Sequence, residues 1–278
     1  MTITTASVSV LPDRDPGSGP LPPADPRAHL TSPVTRAALR IQQAMLAAVR
    51  EHLTGAGFTE MLPPVIGPVT DPGARGAKQV DIDYYGHRYK LMTSAILYKQ
   101  ASLLAFDKIF CIAPNVRLEP LETASTSRHL AEFHQIDVEA AGFSRDQITG
   151  LAEELVRHMV RRAVERQPED FALLGRDPGV FDALLGTAFG HRTHAAVVAE
   201  LHALGHPQSA DAEVDWTGEA LISRQSPQPF FIENYPKGSR GFYDREDPAA
   251  PGVLRNFDLI APEGYGELCS GSERENDY

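Results

Sequence analysis

The chain has 278 residues, 42% of them hydrophobic, with 26 Lys and Arg against 37 Asp and Glu, a formal net charge of −11. That is enough to bury one large core, and the sign of the charge repels a phosphate backbone, which counts against a dedicated nucleic-acid binder. Two cysteines far apart in sequence, Cys111 and Cys269, lack the closely spaced ligand pairs of structural zinc and read as reduced thiols. With no apolar run near the roughly 18 residues of a membrane span, and no signal-peptide pattern at the start, the expectation is a cytoplasmic protein without a membrane partner.

Residues 1–32 mix Pro, Ser, Asp and Gly with few large apolar side chains, a composition that reads as a flexible tail. From Ser32 the pattern changes. Pro33 suits a first helical turn, and Leu39, Ile41, Met45, Leu46, Val49 and Leu53 recur at helical spacing until Gly55 and Gly57, which predicts one long helix. GFTEMLPPVIGPV then reads as an edge strand broken by Pro63 and Pro64, and QVDIDYYGHRYKLM as a hairpin around Gly86.

SAILYKQASLLA predicts a short helix, DKIFCIAPNVRLEP a strand, LETASTSR a polar loop, and HLAEFHQIDVEAAGF a second strand antiparallel to the first. Ser144 and Gln147 stand at capping-box positions of a helix running to about residue 167. Residues 168–228 carry helical stretches near 193–204 and 211–223 and no chemistry. The end holds three short β-rich runs separated by Gly and Pro turns. Helices and antiparallel strands in this order are α+β, because a parallel α/β sheet needs strict alternation of strand and crossover helix. No glycine-rich phosphate loop is present, so a nucleotide would be held by side chains.

The chemistry gathers around Arg117, Glu119, Phe133, Gln135 and Asp137. On two antiparallel strands alternate side chains share a face, so one concave sheet surface could present all five. An arginine forks onto a phosphate, a carboxylate accepts from an adenine amine, and an aromatic ring offers a stacking platform.

APNVRLEP with STSRHLAEFHQIDVE resembles motif 2 of class II aminoacyl-tRNA synthetases, in the aspartyl/asparaginyl branch and its stand-alone asparagine synthetase relatives. The resemblance covers roughly residues 33–166 and 229–278 and implies a class II catalytic domain, an antiparallel sheet flanked by helices, over 33–278. By it, Arg117 would bind the α-phosphate and the reacting carboxylate, Glu119 the adenine amine, Phe133 would stack on adenine, and Arg128 and His129 would meet the outer phosphates of ATP. LMTSAILYKQ is similar to the aspartate-binding segment of the aspartyl enzymes. Ser94 and Lys99 match it, and Lys99 would hold a substrate carboxylate, which favours aspartate over asparagine. Gln135 and Asp137 would serve the substrate amine.

NFDLIAPEGYGELCSGSERE resembles the strand pair that carries metal and substrate ligands. Asp258 and Glu267 would reach Mg²⁺, and Arg274 would fork onto the substrate carboxylate. Gly264, Gly266 and Gly271 mark turns or close passage of backbone past a ligand. The long helix and the Pro63-Pro64 strand look like motif 1, which implies a homodimer. Set against that resemblance, the expectation is a core without an anticodon-binding domain ahead of it, residues 1–32 being too short and too poor in apolar side chains for one, and a chain that stops at Tyr278 where the family continues into its glycine-rich motif 3. The function expected on these grounds is an ATP-dependent ligase that adenylates aspartate or a similar amino acid and passes the acyl group to ammonia or a small amine. A tRNA acceptor, counted against by the charge, and a catalytically silent amino-acid-binding paralogue are the alternatives.

Overall fold

The computed structural model describes residues 2–4, 25–71, 77–120 and 129–276. In chain order the elements are β1 (Thr2–Thr4), α1 (Pro26–Thr31), α2 (Pro33–Gly55), β2 (Thr59–Glu60), β3 (Ile66–Gly67), β4 (Asp81–Tyr84), β5 (His87–Leu91), α3 (Ile96–Ser102), β6 (Lys108–Val116) and β7 (Glu132–Ala140). There follow α4 (Arg145–Arg166), α5 (Pro168–Leu173), a 3-10 turn (Pro178–Phe181), α6 (Asp182–Gly186), β8 (Gly190–Thr193), α7 (His194–Ala203), α8 (Trp216–Gln225), β9 (Phe230–Glu233), β10 (Asn256–Ala261) and β11 (Gly266–Ser272). They form two compact units: Thr5–Gln135 with Leu155–Phe181, the N-terminal unit, and Met1–Thr4, Ile136–Glu154 with Asp182–Tyr278, the C-terminal unit.

Part of the expected tail is structured. Asp25 accepts a hydrogen bond from the Arg27 amide and Pro26 stands at the first position of α1, so a cap and a proline start a helix that hydrophobic content alone does not reveal. Thr2–Thr4 pairs antiparallel with β11. The polar loop expected over 121–128 lies outside the described residues.

In the N-terminal unit, α2 occupies the predicted span. Its buried stripe, Ala37, Ala44, Ala48, Val49 and Leu53, is narrow and rich in alanine, which lets the helix approach closely. Arg40 forks onto Asp170 of α5 and fastens the two helices. Pro63 and Pro64 fall between the short strands β2 and β3 and interrupt the ladder there, since neither has an amide hydrogen to give. β2 lies parallel to β6, which neighbours β7, and β3, β5 and β4 make a separate three-stranded antiparallel sheet. Cys111 of β6 is buried, with Ala113, Ala95 and Met61 around it.

In the C-terminal unit the strand order is β7-β1-β11-β10-β9-β8, antiparallel from β1 to β9, with β8 parallel to β9. Each unit thus adds one parallel pair to the expected antiparallel pattern. Phe230, Ile232 and Ile260 pack against Val197, Leu201 and Ile222 from α7 and α8, and each such fully buried side chain contributes about 1.5–3 kcal/mol. Cys269 is buried as well, and burial pushes its thiol pKa up, away from the reactive thiolate. The Ser144–Gln147 capping box forms as predicted: the Ser144 amide donates to Gln147 Oε1, and the Gln147 amide to Ser144 Oγ. Among the described residues no helix is long and apolar enough to cross a membrane.

Candidate active site

Arg117 does not lie within a strand. β6 ends at Val116, and the backbone continues by bridging: the Arg117 amide donates to the Ala131 carbonyl at 2.9 Å, and Leu118 pairs with Lys78. The half-buried guanidinium is fixed at two points. Its Nε donates to the Thr93 carbonyl at 2.9 Å, and its carbon sits 5.2 Å from the centre of the Phe133 ring. The donor to Thr93 is Nε, so that bond does not use the Nη groups, the forked edge that would meet a phosphate. Glu119, two residues on, is half-buried; loss of hydration raises its pKa and the nearby Arg117 charge pulls it back only in part.

Gln135 is buried and accepts a hydrogen bond from Asn115 Nδ2, so its carboxamide is engaged inside the N-terminal unit. Asp137 is fully buried and belongs to the C-terminal unit. Arg117 and Phe133 meet as a common face requires, and Phe133, Gln135 and Asp137 alternate along β7. Ser94 is buried just before α3, and Lys99 of that helix is only 3% exposed. An ammonium at that depth is a placed charge rather than a solvated one. His129 is half-buried, and Arg128 lies outside the described residues.

In the C-terminal unit the β10/β11 register brings the other candidates together. Asp258 faces Ser270, yet Ile260 faces Glu267, because a bulge at Leu268 inserts one extra residue. Residues 258 and 260 share a face by alternation, so the bulge turns Glu267 onto the face of Asp258 and Ser270. Ser272, opposite Asn256, follows on the same side. Strict alternation along β11 would have put Glu267 and Ser270 on opposite sides. The connecting turn contains Gly264 at φ 86° and Gly266 at φ 75°, and the Ser223 hydroxyl accepts from the Gly264 amide at 2.9 Å. Those two glycines serve a turn. Gly271 serves packing instead: a Cβ there would stand 2.5 Å from Cζ of Phe257.

Asp258 is 2% exposed and one of its oxygens accepts from Arg240, a residue the sequence did not single out. Arg240 Nε also lies 2.6 Å from Glu213, and its guanidinium covers the Tyr235 ring at 4.2 Å. Burial works against the Arg240 charge, but Asp258 and the neighbouring acids outweigh it and hold its pKa above the ordinary value. Asp258 Oδ1 is buried and accepts no hydrogen bond. An orphaned carboxylate oxygen beside a second acid on one face fits a hard divalent cation that takes its remaining ligands from phosphate and water. Among the described residues no cluster of three or more His, Cys, Asp or Glu is arranged for a metal.

Arg274 is enclosed by two acids. Nη2 donates to Glu139 Oε1 at 3.3 Å, and Nη1 to Asp244 Oδ1 at 3.3 Å and to Ser272 Oγ at 2.8 Å, while the guanidinium lies 5.2 Å from the Tyr243 ring centre. Burial opposes its charge, but Glu139 and Asp244 more than compensate and raise its pKa. Glu139 was within reach of sequence analysis, since it continues the Gln135 and Asp137 alternation by one step. Asp244 and Arg240 lie in the irregular segment between β9 and β10, where no periodicity marks them.

The same arrangement of strands and helices occurs in class II synthetases. The structure of asparaginyl-tRNA synthetase from Pyrococcus horikoshii complexed with asparaginyl-adenylate matches with a TM-score of 0.83 and 28% identity, over 90% of this chain and 56% of that one. Among curated proteins, the asparagine–tRNA ligases of Desulforamulus reducens and Pyrococcus abyssi are 34% and 31% identical, each over 90% of this chain and over 58% and 56% of their own lengths. The sequence model described as tRNA synthetases class II (D, K and N) matches residues 25–278, and the chain belongs to that family. It spans a little over half the length of these relatives.

Proposed function

We propose that the chain is an ATP-dependent, adenylate-forming amino acid ligase, with an amino acid of the aspartate/asparagine type as substrate and tRNA as acyl acceptor. The observation that carries adenylation is the mounting of Arg117, whose fork is presented by the Thr93 carbonyl and the Phe133 ring with Glu119 two residues away. The family and the relatives named as asparagine–tRNA ligases support the tRNA acceptor. A net charge of −11 weighs less than this kinship, because charge summed over a whole chain says little about the local surface that meets a nucleic acid. Neither of the two curated relatives above is named for transfer to ammonia.

In the proposed reaction a substrate carboxylate oxygen attacks the α-phosphorus of ATP in line with the departing pyrophosphate. Arg117 takes the charge that builds on the α-phosphoryl oxygens, and its fixed position means little reorganisation as that charge develops. Phe133 and Glu119 hold the adenine by stacking and by accepting from its amine, and His129 and Arg128 serve the outer phosphates. Ser94, Lys99, Gln135, Asp137 and Arg274 are assigned to the amino acid. Asp258 and Glu267 would hold Mg²⁺, which when bound neutralises charge on the phosphates. A homodimer through α2 is supported by its uncovered apolar side chains, among them Leu39 and Val34.

The test is exchange of labelled pyrophosphate into ATP, dependent on amino acid, with Arg117→Ala as control, followed by acylation of bulk tRNA. Exchange with asparagine or aspartate that is lost in the control, followed by labelling of tRNA through an ester that mild base removes, is the expected result. Exchange without tRNA labelling, but with amide formation from ammonia, would replace the acceptor. No exchange with any amino acid would overturn the proposal.

A further inference from the structure

Arg117 is aimed by a carbonyl, so whatever holds the Thr93 carbonyl sets the position of the fork. Thr93 lies between β5 and α3 and is wholly buried, and the side chain against it is that of Thr70, itself buried, 23 positions earlier in the segment that leaves β3. The Thr93 amide donates to Thr70 Oγ1 at 2.9 Å, the two hydroxyl oxygens stand 3.0 Å apart, and Thr93 Oγ1 donates to the Asp71 carbonyl at 3.0 Å. Each hydroxyl has one proton to give. That of Thr93 goes to Asp71, so that of Thr70 goes to Thr93 Oγ1, the Ser94 carbonyl at 3.5 Å being the more distant acceptor. The Asp71 carbonyl is anchored in turn, since Gln79 Nε2 donates to it at 3.2 Å.

Resting on the adenylation reading above, we propose that Thr70 is a positioning residue for that reaction: through Thr93 it fixes the carbonyl that orients Arg117 towards the α-phosphate. Only one residue separates the two ends of this relay, with the Thr93 amide held by Thr70 on one side and the Thr93 carbonyl engaged by Arg117 Nε at 2.9 Å on the other. The Val116 amide, donating to the Met92 carbonyl at 2.8 Å, already ties the two segments together beside Arg117. A single bond of that kind fixes separation but not orientation, and the hydroxyl pair supplies the second point of attachment. Packing alone does not call for hydroxyls at two enclosed positions, whereas buried polar groups that satisfy one another specify one local arrangement. A group placed to meet developing charge depends on such an arrangement, since a displacement of roughly 1 Å costs on the order of 10²-fold in rate.

The experiment measures amino-acid-dependent pyrophosphate exchange in the full chain, in Thr70→Val, which keeps the shape and removes the hydroxyl, in Thr70→Ser, which keeps the hydroxyl, and in Arg117→Lys with and without Thr70→Val. Thermal melting identifies the folded proteins, and Thr93→Val, which breaks the same pair from its other side, carries the test if Thr70→Val does not fold. The expected result is a fall in kcat on the order of tenfold in Thr70→Val, with KM for ATP changed less, and recovery of most of it in Thr70→Ser. Once Arg117→Lys has removed the Nε donor, Thr70→Val should lower exchange by no more than about twofold further, because residues that act as one unit do not lose activity independently. A kcat within about twofold of the parent in a folded variant of the pair, or losses that multiply in the double variant, overturns the inference and leaves adenylation standing. Absence of exchange with any amino acid in the parent overturns adenylation and this inference with it.

Discussion

Arg240 donates to Asp258 in the interior of the C-terminal unit, and the same guanidinium reaches Glu213 and covers the Tyr235 ring. An ion pair at that depth offsets its own desolvation only while both partners are present. Replacing Arg240 by methionine keeps much of the volume and leaves Asp258 as an uncompensated buried charge. The expected loss is about 3–5 kcal/mol in urea unfolding. A loss below about 1 kcal/mol would mean that the Arg240–Asp258 pair adds little net stability.

Arg117 and lysine carry the same charge but not the same shape. Arg117→Lys removes the Nε donor to the Thr93 carbonyl and the planar group over Phe133, so the cation is no longer aimed. Pyrophosphate exchange should fall on the order of 10²-fold, with the melting temperature nearly unchanged. Retained exchange would show that a point charge suffices there.

Glu119 couples stability to pH in the direction opposite to a paired carboxylate. Desolvation raises its folded pKa above the unfolded value, so the folded state binds the proton more tightly and stability is lost as pH rises through that interval. Glu119→Gln should therefore be more stable than the parent at neutral pH, with the advantage vanishing below the ordinary carboxylate range. The same variant should need more ATP for half-maximal exchange. Paired melts across the acid limb, with ATP titrations alongside, separate the two effects, and a variant less stable than the parent at neutral pH contradicts the expected sign.

Gly271 is a packing position. A methyl group there meets Phe257 at a distance that requires the buried ring to shift, and Phe257 is itself stacked edge-on against Phe231. Gly271→Ala should cost about 1–3 kcal/mol as overpacking. Combining it with Phe257→Leu should recover part of the loss, and strictly additive losses would argue against the clash.

The helices α2 and α4 were legible because an amphipathic period and a first-turn proline or capping box are local signals. The β6 and β7 strands were legible from alternation, and the motif between them from the order of its residues. Pairings that depend on register were not. Strict alternation along β11 separates Glu267 from Ser270, and only the bulge at Leu268 reunites them. Alternation along β7 tells which side chains share a face but not what each meets, so the Asn115 partner of Gln135 was not legible. Arg240 and Asp244 were invisible because they occupy irregular chain, where position is set by long-range partners. The helix α1 was missed because a tail's composition hid the Asp25 cap.

The two thiols have a practical meaning. Cys111 and Cys269 are the only cysteines in the chain, and both are buried within strands. Water-soluble maleimides and spin labels should therefore find the folded protein nearly inert. A single cysteine engineered at Leu104, which is 95% exposed, would then report alone, giving a spectroscopic handle without first stripping out the native sulfur.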